Sequence, residues 1–97
     1  MTNYKLTNLA VYDLEKIWEY TVEEWSLSQA EKYINGLLIS FDLIGTGRIK
    51  GKSIDQVREG YKKALYRKHY IFFRLSSNQV VEIIRILHIT MDVNTHL

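Results

Sequence analysis

The sequence predicts an α+β protein in which a short N-terminal strand and an α-helical hairpin pack on a small antiparallel β-sheet. Residues 8–45 carry apolar side chains at three- and four-residue spacing, which is typical of amphipathic helices. Residues 61–88 are rich in aromatic and β-branched side chains and alternate in short stretches, which is typical of strands. The 97 residues suffice for one domain, residues 1–97, and are too few for a second core.

The first half of the chain predicts one strand and the first helix. Asn3 to Leu6 can form the strand, and Thr7 or Asn8 is expected to be the N-cap of a helix of about four turns. Polar residues occupy the positions between the members of its apolar stripe. That stripe consists of Ala10, Leu14, Ile17, Trp18, Thr21, Val22 and Trp25.

A second helix is predicted after a short join, so the two helices should form an antiparallel hairpin. Ser28 and Glu31 match a capping box, and the helix is expected to end near Gly45. The apolar stripe of this helix consists of Ala30, Tyr33, Ile34, Leu37, Leu38, Phe41 and Ile44. Residues 45–60 read mainly as loop, with room for a helical turn around Ile54 to Val57.

Three strands are predicted in the second half, at Tyr61–Tyr66, Lys68–Leu75 and Gln79–His88. Their short connections favour antiparallel pairing. Alternation puts Tyr70, Phe72 and Arg74 on one face of the middle strand and Ile71, Phe73 and Leu75 on the other. The last residues, 93–97, show no pattern and are expected to be loose.

The third strand changes phase along its length. Val81 and Ile83 share one phase, while Ile84, Ile86 and His88 share the opposite one. Either both faces of this strand are covered or a bulge shifts its register. The sequence leaves both alternatives open.

Charge and composition narrow the functional classes. Residues 1–45 hold three Lys or Arg against seven Asp or Glu, whereas residues 46–97 hold ten against four. The basic half can attract an acidic protein segment or nucleic acid, and an ordinary solvated surface explains it equally well. There are no cysteines, no signal peptide pattern and no long apolar run, so a cytoplasmic protein without a membrane segment is expected.

Two arginines interrupt apolar strands. A charge at Arg74 or Arg85 is costly unless a carboxylate or a ligand meets it. Pairing with Glu82, Glu59 or Asp92 is as good an explanation as binding to a partner. The spacing of the three histidines does not favour a metal site, and neither a metal nor another cofactor is expected.

A nuclease is the enzymatic alternative. Cleavage of RNA by its own 2′-hydroxyl needs a proton acceptor, a proton donor and cations near the phosphorus. His88, Tyr70, Arg67, Arg74 and Arg85 include the side chains for all of these roles. Residue types alone do not establish their geometry.

Several strings of the sequence resemble the ParE toxins of the RelE/ParE superfamily. The turn Arg58-Glu59-Gly60-Tyr61-Lys62, the strand His69 to Arg74 and the strand Arg85 to His88 ending at Met91-Asp92 occur in the order of that family. The resemblance extends back through Ile17-Trp18-Glu19-Tyr20-Thr21 to Leu6 and so covers most of the chain.

The resemblance implies a toxin of a type II toxin–antitoxin pair. Such a toxin would bind DNA gyrase, stabilise the cleaved gyrase–DNA complex and block replication, with a ParD-like antitoxin as its second partner. It would act by binding and not as an enzyme, and no sequence-specific contact with nucleic acid is expected. The alternative within the superfamily is a RelE-like, ribosome-dependent mRNA endoribonuclease.

Residue type and position suggest two sets of site residues. The set expected to contact gyrase or to cause toxicity consists of Lys63, Arg74, Arg85, His88 and Met91. The set expected to contact the antitoxin consists of Trp25, Tyr33, Arg58 and Tyr61. An apolar helix hairpin beside a sheet forms a groove that can receive a helix of another chain, and aromatic residues dominate such interfaces. Core packing explains Trp18 better than partner binding does.

Overall fold

The computed structural model of the protein describes residues 3–97. Its elements, in chain order, are β1 (Tyr4–Leu6), α1 (Asn8–Glu24), α2 (Leu27–Gly45), β2 (Lys52–Ser53), β3 (Tyr61–Tyr66), β4 (His69–Leu75), β5 (Val81–His88) and α3 (Val93–His96). The α+β class is therefore confirmed. No helix within residues 3–97 has both the length and the apolar character that crossing a bilayer requires.

Side-chain caps fix where the two long helices begin. Thr7 Oγ1 accepts a hydrogen bond from Ala10 N at 3.0 Å, which confirms Thr7 as an N-cap, and it donates to the Ile84 carbonyl at 2.7 Å. The predicted cap at Ser28 is wrong. Ser26 caps α2 instead, because its backbone is extended directly before the helix and its hydroxyl accepts from Gln29 N at 3.0 Å.

The strands form one sheet in the order β1-β5-β4-β3-β2. Strands β3 to β5 pair antiparallel, as expected, and β2 adds a further antiparallel pair. Strand β1 lies parallel to β5, so the complete sheet is mixed. A parallel neighbour arises because the helical hairpin intervenes between β1 and the later strands. Strand β2 is only two residues long and lies inside the segment predicted as loop.

A bulge explains the phase change in β5. Phe72 lies opposite Arg85 while Phe73 lies opposite Ile83, so the register shifts at Ile84. The shift puts Ile83 and Ile86 into the same core beneath the helices. Leu87 packs on the opposite face, so the two alternatives raised by the sequence, a bulge and cover on both faces, are both realised.

The main core lies between the helical hairpin and the sheet. Phe41, Leu37, Ile71 and Ile83 are its largest fully buried side chains. Leu38, predicted to belong to the buried stripe of α2, is 37% exposed instead. A smaller cluster on the other face contains Ile54, Phe72 and Leu87, with Val57, Tyr61, Tyr70, Val93 and Leu97 packed against it.

The C-terminal residues form part of the fold, so the prediction that they are loose is wrong. Asp92 caps α3 by accepting a hydrogen bond from Asn94 N at 3.0 Å. Arg85 Nη1 donates to the His96 carbonyl at 3.2 Å, and Arg58 Nη1 donates to the Leu97 carbonyl. These bonds come from residues distant in sequence, so the local pattern contains no trace of them.

Candidate functional site

A cleft of about 590 Å³ opens where the end of α1 and the start of α2 meet the turns that follow β3 and β5. We call it the histidine cleft and define it by Trp25, Tyr33, Arg67, His69, His88 and Thr90. Its size is within the range of ligand and partner pockets. The cleft combines residues of the helical hairpin with residues of β4, β5 and the turns beside them, which lie much later in the sequence.

Three rings form a chain inside the histidine cleft. The Tyr33 hydroxyl lies 2.7 Å from His69 Nδ1 and also accepts a hydrogen bond from Lys68 N at 3.2 Å. The His69 and His88 rings meet edge to face, with centroids 5.3 Å apart. His88 Nδ1 in turn accepts from Thr90 N at 3.2 Å. Each ring is therefore oriented by a neighbour, which is how preorganised binding sites are built.

Burial changes the protonation chemistry of this chain of rings. Desolvation, helped by the neighbouring His88, lowers the pKa of His69 from 6.5 to about 4, although Asp13 opposes the shift. Burial also raises the pKa of Tyr33, partly offset by the Lys68 N–H bond. At neutral pH the site therefore holds a neutral His69 imidazole and a protonated Tyr33 phenol.

The low pKa of His69 makes stability depend on pH. The unfolded chain takes up a proton at this residue below about pH 6.5, whereas the folded chain does so only near pH 4. Stability present above pH 6.5 is therefore lost as the pH falls from about 6.5 to about 4. This pKa shift corresponds to about 3 kcal/mol of unfolding free energy at most. The value falls to roughly 1 to 2 kcal/mol once solvent screening of the partly exposed ring is included.

His69→Asn tests this dependence, because the Asn side chain can still accept from Tyr33 but does not titrate. Between pH 7 and pH 4, chemical denaturation should show that the original protein loses roughly 1 to 2 kcal/mol more than the variant. Effects of the carboxylates are common to both proteins and cancel in the difference. Parallel stability curves would contradict the assignment.

The walls of the histidine cleft are apolar on one side and basic on the other. Trp25 is 73% exposed, and Tyr20 and Ile89 are 62% and 42% exposed. Arg67 and Lys68 lie in the turn between β3 and β4. None of the side chains from residues 3–97 that line the cleft is acidic. The surface therefore suits a segment with an apolar anchor and negative charge.

The two strand arginines have intramolecular partners. Arg74 Nε donates to Glu82 at 2.8 Å, which confirms one of the pairings considered from the sequence. Arg85 donates through Nε and Nη2 to the two oxygens of Asp13, each at 2.8 Å. Asp13 was not among the carboxylates considered for Arg85. This pair is largely buried, and its hydrogen bonds raise the pKa of Arg85.

The remaining predicted residues lie mostly on the face of the sheet away from the helices, which we call the outer face. Lys63 lies on it with Nζ 4.3 Å from the centre of the Tyr70 ring, in cation–π geometry. Tyr61 packs in the smaller cluster there, and Arg58 lies over its ring at 5.5 Å. Met91, in the turn after β5, is 49% exposed.

The structure thus divides both predicted sets of site residues. Of the antitoxin set, Trp25 and Tyr33 line the histidine cleft, while Arg58 and Tyr61 lie by the C-terminal segment on the outer face. Of the toxicity set, His88 lines the cleft. Neither set forms one continuous surface.

The nuclease constellation is not assembled either. His88 and Arg67 line the histidine cleft, but Tyr70 lies on the outer face. Arg74 and Arg85 are held by their carboxylate partners. Among residues 3–97, no three His, Asp or Glu side chains come close enough to share a metal ion.

Sequence reasoning missed two residues that organise this region. Asp13 follows Ala10 by three positions and precedes Ile17 by four, so it lies on the buried stripe of α1. This spacing is the pattern from which its burial could have been predicted. His69 was considered only as a metal ligand. Its contact with Tyr33 joins residues 36 positions apart and leaves no local pattern.

Comparisons with known proteins identify the family. A family model described as "ParE toxin of type II toxin-antitoxin system, parDE" matches residues 4–93. Toxin ParE1 of Mycobacterium tuberculosis is 32% identical over 96 residues, covering 99% of this chain and 98% of that protein. Toxin ParE1 of Caulobacter vibrioides is 33% identical, covering 100% of this chain and 99% of that protein.

A solved structure supports the fold independently. A chain of the chromosomal ParDE toxin–antitoxin system from P. aeruginosa aligns with a TM-score of 0.76, covering 91% of this chain and 96% of that one. Its sequence identity is 21%, so this likeness bears on architecture alone. The family model and the two relatives also establish the family. The chain belongs to the ParE toxin family of type II toxin–antitoxin systems.

Proposed function

We propose that residues 1–97 act as one ParE-like toxin domain that binds DNA gyrase in the cytoplasm and stabilises the cleaved gyrase–DNA complex. Persistent double-strand breaks would then stop replication. A ParD-like antitoxin would bind the toxin and prevent this. Toxicity would come from protein binding and not from chemistry performed by the chain.

The observation that carries this proposal is that the side chains suited to catalysis do not converge, because two of the basic ones are held within the fold and two others lie on opposite faces of the sheet. Arg85 is fixed by Asp13 and Arg74 by Glu82, while Tyr70 and His88 lie on opposite faces of the sheet. Cleavage of RNA needs an acid, a base and free cations around one phosphate. Binding surfaces support the gyrase proposal better than the endoribonuclease alternative.

We assign the two proposed partners to different faces. The histidine cleft, with exposed Trp25 and no acidic lining residue among residues 3–97, is proposed for the antitoxin. The outer face, with Lys63 and Arg74, is proposed for gyrase. Arg58 and Tyr61, which hold the C-terminal segment on that face, are proposed to support it structurally.

A gyrase assay tests the proposal. Purified toxin incubated with bacterial DNA gyrase, ATP and supercoiled plasmid should yield linear DNA after denaturation of the protein, and added antitoxin should prevent it. Lys63→Glu should reduce the linear product at least about fivefold, because it reverses a charge on the proposed gyrase face. Lys16→Glu, on the exposed surface of α1, is the matched control and should leave the product unchanged.

The outcome against the proposal is plasmid that stays free of linear product while the same gyrase supercoils relaxed DNA. Translating ribosomes incubated with the toxin provide a parallel reaction. Cleaved mRNA there, without linear plasmid in the gyrase reaction, would favour the endoribonuclease.

A further inference from the structure

Both histidines of the histidine cleft use Nδ1 as a hydrogen-bond acceptor. Thr90 N–H donates to His88 Nδ1, so neutral His88 carries its proton on Nε2. The Tyr33 hydroxyl already accepts from Lys68 N–H, and its own hydrogen needs an acceptor because the buried phenol stays protonated. We assign that acceptor to His69 Nδ1, 2.7 Å away. Neutral His69 then also carries its proton on Nε2.

The two Nε2–H groups are unused donors in neighbouring rings. Neither forms a hydrogen bond with any of residues 3–97, whereas both Nδ1 atoms do. The ring centroids are 5.3 Å apart in the wall of one cleft. Arg67 and Lys68 line the same wall, and the lining contributed by residues 3–97 includes no carboxylate. A concave site with several donors and no negative charge is suited to an oxyanion.

We infer that the histidine cleft is an oxyanion site that binds the carboxylate of an acidic side chain of the antitoxin through the Nε2–H groups of His69 and His88. This inference rests on the proposed toxin–antitoxin function. A protein carboxylate fits better than a phosphate of nucleic acid, because Trp25, Tyr20 and Ile89 offer apolar surface to the residues beside the acidic one. The Nε2–H groups of the imidazoles supply donors, and Arg67 and Lys68 supply the fixed positive charge.

Occupation of the site should change the titration of His69, whose pKa the fold already lowers. The charged and titratable groups around His69 are Tyr33 from α2, Asp13 from α1, His88 from β5, and Arg67 and Lys68 from the β3–β4 turn. A bound carboxylate adds a negative charge beside the His69 imidazole and favours its protonated form. Antitoxin binding should therefore strengthen as the pH falls, about tenfold for each unit by which the pKa of His69 rises on binding.

Long-range ¹H–¹⁵N NMR of the histidine rings tests the geometry directly. In the free toxin, the neutral forms of His69 and His88 should both show the Nε2–H tautomer. Sodium acetate, at constant ionic strength, should shift these two Nε2 signals saturably and leave His96, which lies in α3, unchanged. A stronger response to inorganic phosphate than to acetate would assign the site to nucleic acid and overturn the carboxylate, as would equal responses at all three histidines.

Variants then connect the site to the antitoxin. His88→Leu removes the donor and should weaken binding of the co-purified antitoxin at least about tenfold, whereas His88→Gln restores an N–H near the same position and should stay within about threefold. His96→Leu is the control and should bind normally. Equal losses for His88→Leu and His88→Gln would overturn the inference, because a merely steric role predicts that pattern.

The two proposals fail in different ways. An antitoxin that binds with unchanged His69 and His88 signals would refute the oxyanion site and leave the toxin–antitoxin function standing. An absence of any binding antitoxin would refute the proposed function, while the acetate titration would still decide whether the site binds a carboxylate.

Discussion

Asp13→Ala is expected to lower the free energy of unfolding by about 3 to 5 kcal/mol, because it leaves a buried arginine without its counter-charge. The carboxylate is 7% exposed and accepts from Arg85 through two oxygens. It also accepts from the backbone N–H of Ile86 at 2.9 Å, beyond the point where β1 pairs with β5. The Asp13 carboxylate thus provides hydrogen-bond acceptors for the Arg85 guanidinium and for a backbone N–H at the free edge of β5.

Urea denaturation of three variants separates these contributions. Glu82→Ala breaks the exposed Arg74 pair and should cost less than about 1 kcal/mol, so it is the matched control. Asp13→Leu combined with Arg85→Met removes both charges and should recover much of the loss. About 1 to 3 kcal/mol should remain, because Ile86 N–H still lacks an acceptor. A loss for Asp13→Ala as small as that for Glu82→Ala would contradict the structural role assigned to Asp13.

The longer elements of this fold could be predicted because each has a local signature, whereas the two-residue β2 and the short α3 do not. Apolar spacing along α1 and α2 and alternation along β3 and β4 follow from helix and strand geometry, and the structure reproduces them. What the local pattern lacks is the identity of distant partners. The sequence indicates that Arg85 needs a carboxylate or a ligand, and the carboxylate that meets it lies 72 residues away on a helix.

The candidate site was predicted only in part for the same reason. Trp25 and Tyr33 were selected by residue type, and both line the histidine cleft. His69 joined them only when tertiary folding brought β4 against α2. The C-terminal segment was not predicted for a different reason. Arg58 and Arg85 donate to backbone carbonyl groups there, and every residue has such a group. Backbone acceptors have no side-chain signature and cannot be read from the sequence.

Gly51→Ala is expected to cost about 3 kcal/mol, because two separate penalties meet at this position. Gly51 has φ +71°, a conformation that costs a residue with a Cβ atom roughly 1 to 2 kcal/mol. An added Cβ would also lie 2.6 Å from Phe73 Cζ and 3.0 Å from the Lys63 carbonyl oxygen. Phe73 is a buried core residue and cannot move without disturbing its neighbours, which adds about 1 to 3 kcal/mol.

Gly47→Ala isolates the first of these penalties. Gly47 has φ +80°, but an added Cβ would have no atom within 4 Å. Gly47→Ala should therefore lose only the conformational cost of roughly 1 to 2 kcal/mol, measured as a lower guanidinium denaturation midpoint. The excess loss of Gly51→Ala over Gly47→Ala then measures the contact with Phe73. Because Gly51 directly precedes β2, relief of that contact would displace β2 from β3, and the amide protons of this pair should exchange faster in the variant. Equal losses of unfolding free energy in the two variants would mean that the Phe73 ring moves aside at no cost. That result would contradict the placement of Phe73 in the core.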